Sequence, residues 1–147
     1  ADGWLFALSL AHSPLEPARR RPVFDAITEQ LFTPFSLRSL SPADSRYRGR
    51  HEGEAGLRDA AYHQGTAWSW LMGPYVEAYL RLEEFSPDAK SEARGMLAPL
   101  LEHMSEACLG QVSEIFDGDP PHNPRGCVAQ AWSVAELLRA YDLTDRP

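Results

Sequence analysis

Four stretches of apolar residues recur at helical spacing and are separated by long polar connections. This rhythm constrains the chain more than any single residue does. Apolar side chains at i, i+3, i+4 and i+7 share one face of a helix. The first segment runs from about Pro14 to Thr33, with Val23, Phe24, Ile27 and Leu31 on its stripe. Ser13 before Pro14 suits a cap with a first-turn proline. Pro22 lacks a backbone donor and predicts a kink or the true helix start. The second segment runs from about Gly65 to Phe85 through Trp68, Leu71, Met72, Tyr75, Tyr79 and Leu82, with a kink expected at Pro74. The third runs from Asp88 to Leu109 along Met96, Leu97, Leu100, Leu101 and Met104. Ser86-Pro87 opens it and Gly110 should end it. The fourth runs from Gly126 to Tyr141 and should turn Val128, Trp132, Ala135, Leu137 and Leu138 inward. No pair of segments alternates as paired strands do. Phe6 to Leu10 alternates briefly and reads as extended, without a partner.

Pro34 to His63 and Gly110 to Arg125 are the long connections. Loops of that length inside a compact domain are uncommon and often functional. Short loops at one end of helical hairpins and long loops at the other would let the long ones converge on one face. Four helices do not close a ring. Their stripes would then need partners from further sequence or from another copy, and an exposed half-ring would favour self-association.

Composition decides between broad classes. The 147 residues suit one domain or a large piece of one. With 44% apolar and 24% charged residues, the balance is that of an ordinary soluble globular protein. No stretch approaches the ~20 apolar residues of a membrane span. The start, Ala1 to Trp4, has neither the form of a secretory signal nor an initiator Met, so a processed chain or a piece of a longer one is expected. A formal net charge of −7 argues against a nucleic-acid partner, and Arg19 to Arg21 reads as a solvated helix face. Cys108 and Cys127 lack metal-ligand spacing and sit among apolar neighbours. They are expected as buried free thiols, in keeping with a cytoplasmic location.

Three clusters hold the chemistry-bearing side chains. Tyr62-His63-Gln64-Gly65-Thr66-Ala67-Trp68-Ser69-Trp70 gathers a phenol, an imidazole, an amide and two indoles around a glycine. Sugars present apolar C–H faces and a fringe of hydroxyls, which such a set matches. The same residues also read as core indoles and a helix-capping histidine. In Ser113-Glu114-Ile115-Phe116-Asp117-Gly118-Asp119, three carboxylates fall in one loop. Glu114 stands between Val112 and Ile115, where desolvation would raise its pKa and fit it to act as a general base. Asp117-Gly118-Asp119 also reads as a plain turn, or as a calcium loop lacking the full acidic spacing. Finally, Gly126 to Ser133 opens a helix that carries Gln130 and Trp132, the latter reading as core or as ligand contact. No Walker or dinucleotide loop, GxSxG elbow or HExxH pair is present.

Thr33-Pro34-Phe35-Ser36-Leu37-Arg38-Ser39-Leu40, Tyr47-Arg48-Gly49-Arg50, the Tyr62-to-Trp70 segment, Ser113-Glu114-Ile115-Phe116-Asp117-Gly118 and Gln130-Ala131-Trp132-Ser133 follow in that order. The ordered set resembles the C-terminal region of the amylo-α-1,6-glucosidase family, the glucosidase part of glycogen-debranching enzymes, in its bacterial form. The resemblance covers Trp4 to Leu143. It implies an all-α fold, part of an α/α toroid of helical hairpins, with residues 1–147 as the C-terminal portion of one domain. It implies inverting hydrolysis of α-1,6-linked glucose stubs on glycogen or limit dextrin, without a cofactor or a metal. On that resemblance Glu114 is the general base, and His63, Gln64 and Trp68 line the glucose site. Tyr62, Trp132, Arg38 and Asp117 complete or support it. Inversion needs an acid and a base roughly 6.5–9.5 Å apart. The family's acid is an aspartate upstream of these motifs, and no matching segment occurs in this chain. The implied partners are therefore the α-glucan and the upstream part of the parent chain, and the chain alone is expected to be inactive. Ser36 departs from the family pattern, which has glycine before Leu-Arg. The same clusters would suit a trehalase-like or other α-glucosidase, or a non-catalytic helical glucan-binding module.

Overall fold

A computed structural model describes residues 2–107 and 109–146. Among these residues there are six α-helices: α1 (Asp2–Ser9), α2 (Pro17–Leu31), α3 (Ala55–Tyr62), α4 (Met72–Leu82), α5 (Pro87–His103) and α6 (Ala131–Asp145). Five very short strands lie between them: β1 (Phe32–Thr33), β2 (Ser36–Arg38), β3 (Ala67–Trp68), β4 (Ile115–Phe116) and β5 (Pro124–Arg125). The helical expectation holds, but about half of the chain is not helical, and an antiparallel sheet sits where none was expected.

α4 is the hub and packs against α1, α2, α5 and α6. Its sequence, MGPYVEAYLRL, is apolar nearly all round, as a helix buried on every side must be. Its polar exceptions pair off. Glu77 accepts from Arg81 one turn on and from Arg139 of α6, while Arg81 also donates to the Ser9 carbonyl that ends α1. Phe24 of α2 stacks on Tyr75 with centroids 4.9 Å apart, and Phe32 packs on the same ring at 5.0 Å. Leu97 and Leu100 of α5 and Ala140 of α6 are fully enclosed.

Several boundaries differ from the sequence reading, each for a local reason. Phe6 to Leu10 is not extended. Phe6 to Ser9 belongs to α1, whose Leu5 and Leu8 are buried. The helix expected from Pro14 starts at Pro17 with Glu16 at its N-cap, and Pro22 lies inside it. Ser13 instead closes a turn by accepting from the Leu15 amide. The helix expected from Gly65 starts at Met72, after a single 3₁₀ turn at Ser69–Leu71. Pro74 thus falls in the first turn, where a missing N–H costs nothing and no kink is required. Ser86 caps α5 as expected, accepting from the Ala89 amide at 3.3 Å. That helix stops at His103, however, not at Leu109, and Gly110 closes a later turn on the Met104 carbonyl. α6 begins at Ala131, five residues after Gly126, so its inward face is Ser133, Leu137, Ala140 and Leu143. Val128, Trp132, Ala135 and Leu138 are exposed rather than inward. Cys127 is exposed, against the expectation of a buried thiol; Cys108 lies outside the described residues. α3 went unforeseen because it buries only Ala61 and so leaves no stripe to detect.

The strands show where the long connections go. Each strand pairs antiparallel with the next in sequence. Leu37 lies opposite Trp68, Trp68 opposite Ile115, and Ile115 opposite Arg125. β3 stands between the two long connections and pairs with both, and the connections also meet directly on one face where the Gly118 amide donates to the Gly49 carbonyl at 2.6 Å and the His51 amide to Asp117 at 2.8 Å. Ser36 fits this frame. It is fully buried in β2, and its hydroxyl donates to the Trp68 carbonyl, tying the first connection to the aromatic cluster.

Candidate active site

β3 and β4 run side by side, and this pairing brings the aromatic cluster next to the acidic one. The register sets Trp68 against Ile115, so Glu114 lies one residue before the pair. Its backbone is fixed on both sides. The Glu114 amide donates to the Cys127 carbonyl at 2.9 Å, and its carbonyl accepts from the Ser69 amide at 3.2 Å.

The Glu114 side chain is half-buried and held at both oxygens. Oε1 accepts from the Tyr62 hydroxyl and, at 3.4 Å, from Gln130 Nε2. Oε2 accepts from the Cys127 amide at 3.0 Å. An ionised carboxylate only accepts, and every one of these neighbours donates. Gly126 makes the grip possible. It adopts a left-handed φ of +67°, and a β-carbon there would run into Glu114 Oε2 and Ile115. Gln130 serves twice, since its Oε1 accepts from the Ala131 amide and caps α6.

The rings around the carboxylate form a continuous group. His63 stacks flat on Trp68, with centroids 4.9 Å apart and planes 5° from parallel. Tyr62 packs against both, and His51 packs on Tyr62 at 5.6 Å. Trp132 stands edge-on to Trp68 at 6.2 Å and stacks on Trp70, which stacks in turn on Phe6. Trp68 is 6% exposed and Trp132 is 47% exposed. His63 and Trp132 are thus the exposed members of the group. Trp68 is the wall behind them, its indole N–H donating to the Tyr62 carbonyl at 3.1 Å. His51 follows directly on the Tyr47-to-Arg50 motif in a polar loop, and only the tertiary packing that sets it against Tyr62 brings it to the site.

Arg38, Asp117 and Gln64 are placed differently. Arg38 donates to the carbonyls of Gly118 and Phe32. Asp117 is fully enclosed. One of its oxygens accepts from the His51 amide at 2.8 Å, and the other takes Arg125 through two nitrogens at 3.1 and 3.0 Å. That bond, more than the nearby charge, raises the Arg125 pKa. Both Arg38 and Asp117 spend their polar atoms on the framework of the loops. Gln64 is half-buried, and its carbonyl accepts from the Arg48 amide. Asp119 accepts from the Tyr47 hydroxyl at 2.9 Å. Among the described residues, no group of three His, Cys, Asp or Glu side chains is placed to hold a metal ion.

A hollow of about 580 Å³ lies elsewhere, along α2 between Trp4, Val23 and Leu40. It is lined by no carboxylate and by none of the aromatic side chains around Glu114.

Burial, together with the bond to Glu114, pushes the Tyr62 hydroxyl up to about 12. Tyr47 and Tyr79 are also raised to about 12, again mainly by burial. An ultraviolet titration should therefore show these three tyrosines ionising near 12, well above the free phenol value of ~10, with Tyr75, raised by its burial, also late. The sign follows from linkage. A raised folded-state pKa contributes stability that is complete below pH ~10 and is lost as pH climbs toward ~12. Tyr62→Phe should remove one of the groups that titrate near 12. Three tyrosines ionising near 10 in the folded protein would contradict this geometry.

The site is thus a carboxylate held by three neutral donors beside a continuous group of aromatic rings, on the loop face of a largely helical domain. The family model for amylo-α-1,6-glucosidase matches residues 3–139, and the chain belongs to that family. It is also similar to the glycogen debranching enzyme of Saccharomyces cerevisiae, at 26% identity over 162 residues, a match covering 95% of this chain. The chain spans about a tenth of the length of that relative, whose matched share is 10%. No helix among the described residues is long and apolar enough to cross a membrane.

Proposed function

We propose that this chain is the base-side portion of an inverting α-1,6-glucosidase that removes single glucose stubs from a branched α-glucan. In this reading Glu114 takes a proton from the attacking water. Tyr62, Gln130 and the Cys127 amide hold its carboxylate in one orientation. His63 and Trp132 offer their rings to the sugar, Trp68 backs them, and Gln64 serves the hydroxyl fringe. Arg38 and Asp117 act by fixing the loops. The general acid comes from sequence outside this chain, and the helices complete an α/α toroid with upstream hairpins. The chain by itself is then inactive, and the parent works in the cytoplasm.

One observation carries the reading: a carboxylate with three donors stands beside an exposed imidazole and an exposed indole, in a member of the amylo-α-1,6-glucosidase family. Inverting hydrolysis needs such a group on the water side of the sugar.

The test uses the full-length polypeptide that carries this chain. It should release glucose from an α-1,6-branched limit dextrin far faster than from trehalose or linear maltooligosaccharides. Faster release from either alternative would move the substrate class to another α-glucosidase. Tight dextrin binding with no release would make the domain a glucan-binding module.

A further inference from the structure

Ser113, the residue immediately before Glu114, has all its polar groups engaged by side chains from two other parts of the fold. His103, the last residue of α5, is 1% exposed. Its Nε2 accepts from the Ser113 amide at 3.3 Å and lies 3.1 Å from the Ser113 hydroxyl. On the other side, the Ser69 hydroxyl donates to the Ser113 carbonyl at 2.5 Å.

The hydrogen bonds settle the state of the ring. A nitrogen that accepts an amide proton carries a lone pair, so Nε2 is unprotonated. The proton then sits on Nδ1, 3.4 Å from the Glu106 carboxylate. The imidazole is packed between rings, edge-on to Phe116 at 4.9 Å and to Phe35 at 6.5 Å. It is a rigid acceptor bolted to the end of a helix.

We propose that His103 and Ser69 are positioning residues for the base: together they grip Ser113 from two sides and so fix the direction in which Glu114 leaves the backbone. The proposal rests on the glucosidase reading above. Both residues are 1% exposed, so each acts through Ser113, and a displacement of about 1 Å at a reacting group can cost on the order of 100-fold in rate.

The experiment measures kcat and KM on branched limit dextrin for the full-length protein, counting only folded molecules. His103→Leu keeps bulk but removes the acceptor, and should lower kcat roughly 10- to 100-fold while KM stays within about threefold. His103→Gln restores an acceptor near the Nε2 position and should recover most of that loss. Ser69→Ala, which barely changes volume, should lower kcat roughly three- to tenfold and serves as the test if His103→Leu does not fold. Wild-type kcat per folded molecule in His103→Leu or in Ser69→Ala overturns the proposal. So does a His103→Gln variant that falls as far as His103→Leu, since the acceptor would then be irrelevant. If the wild-type protein itself releases no glucose, the glucosidase reading fails first, a result distinct from any of these.

Discussion

Replacing Glu114 by Gln should lower glucose release from branched dextrin by about 10²–10⁴-fold, the usual contribution of a general base. The amide keeps the size and planarity of the side chain. Oriented with its oxygen toward Tyr62 and Gln130, it still accepts their hydrogen bonds, so the loops around it should hold. Its NH₂ then faces the Cys127 amide, which costs one hydrogen bond, about 1 kcal/mol. What it cannot do is take a proton from water. The fold and the binding of dextrin should therefore survive while kcat collapses. A variant with full activity would move the base elsewhere, with Asp119 the next carboxylate along the loop that is not enclosed.

Asp117→Ala should be the most damaging single change to stability among the residues near the site. The carboxylate is fully enclosed and anchors the His51 amide and the Arg125 guanidinium. Removing it leaves a buried donor and a cation without their partner. Breaking a buried pair in this way costs about 3–5 kcal/mol. Arg125 retains 29% exposure and a weaker contact with Glu52, which places the cost at the lower end of that range, about 3 kcal/mol. A domain of this size should then melt roughly 6–12 °C lower. Asp119→Ala is the internal control. Its side chain is 40% exposed and bonds only the Tyr47 hydroxyl closely, so its loss should cost about 1 kcal/mol. Equal losses from the two variants would contradict the framework role of Asp117.

The two carboxylates show what the sequence made legible. Their acidic loop and its apolar flanks are plain in the residues, but which carboxylate faces a ligand depends on burial. Arg125, eight residues away, settles that for Asp117. The apolar stripes located α2, α4 and α5 because those helices bury one side or every side. They misplaced the ends wherever the chain turns into sheet. Strands of two or three residues are too short to show a period of two, so the sheet that joins the aromatic and acidic clusters left no signature. α6 was turned the wrong way for a related reason. Val128 and Trp132 are apolar, yet one precedes the helix and the other stands in the open beside Trp68 and Trp70. Apolar residues left in the open read like core residues in a sequence. His103 was hidden for the opposite reason: a lone histidine in an apolar stripe shows neither its burial nor its grip on Ser113.

In the proposed reading Glu114 activates a water on the face of the sugar opposite the departing chain. Inversion at the anomeric carbon is the direct consequence. The most direct measurement is a proton NMR spectrum of the first glucose released from branched dextrin by the full-length protein, recorded before mutarotation. β-Glucose should be the initial product, formed by the wild type and lost in Glu114→Gln. Initial α-glucose would mean a covalent intermediate on a carboxylate nucleophile, and would contradict a role for Glu114 as the base that activates water.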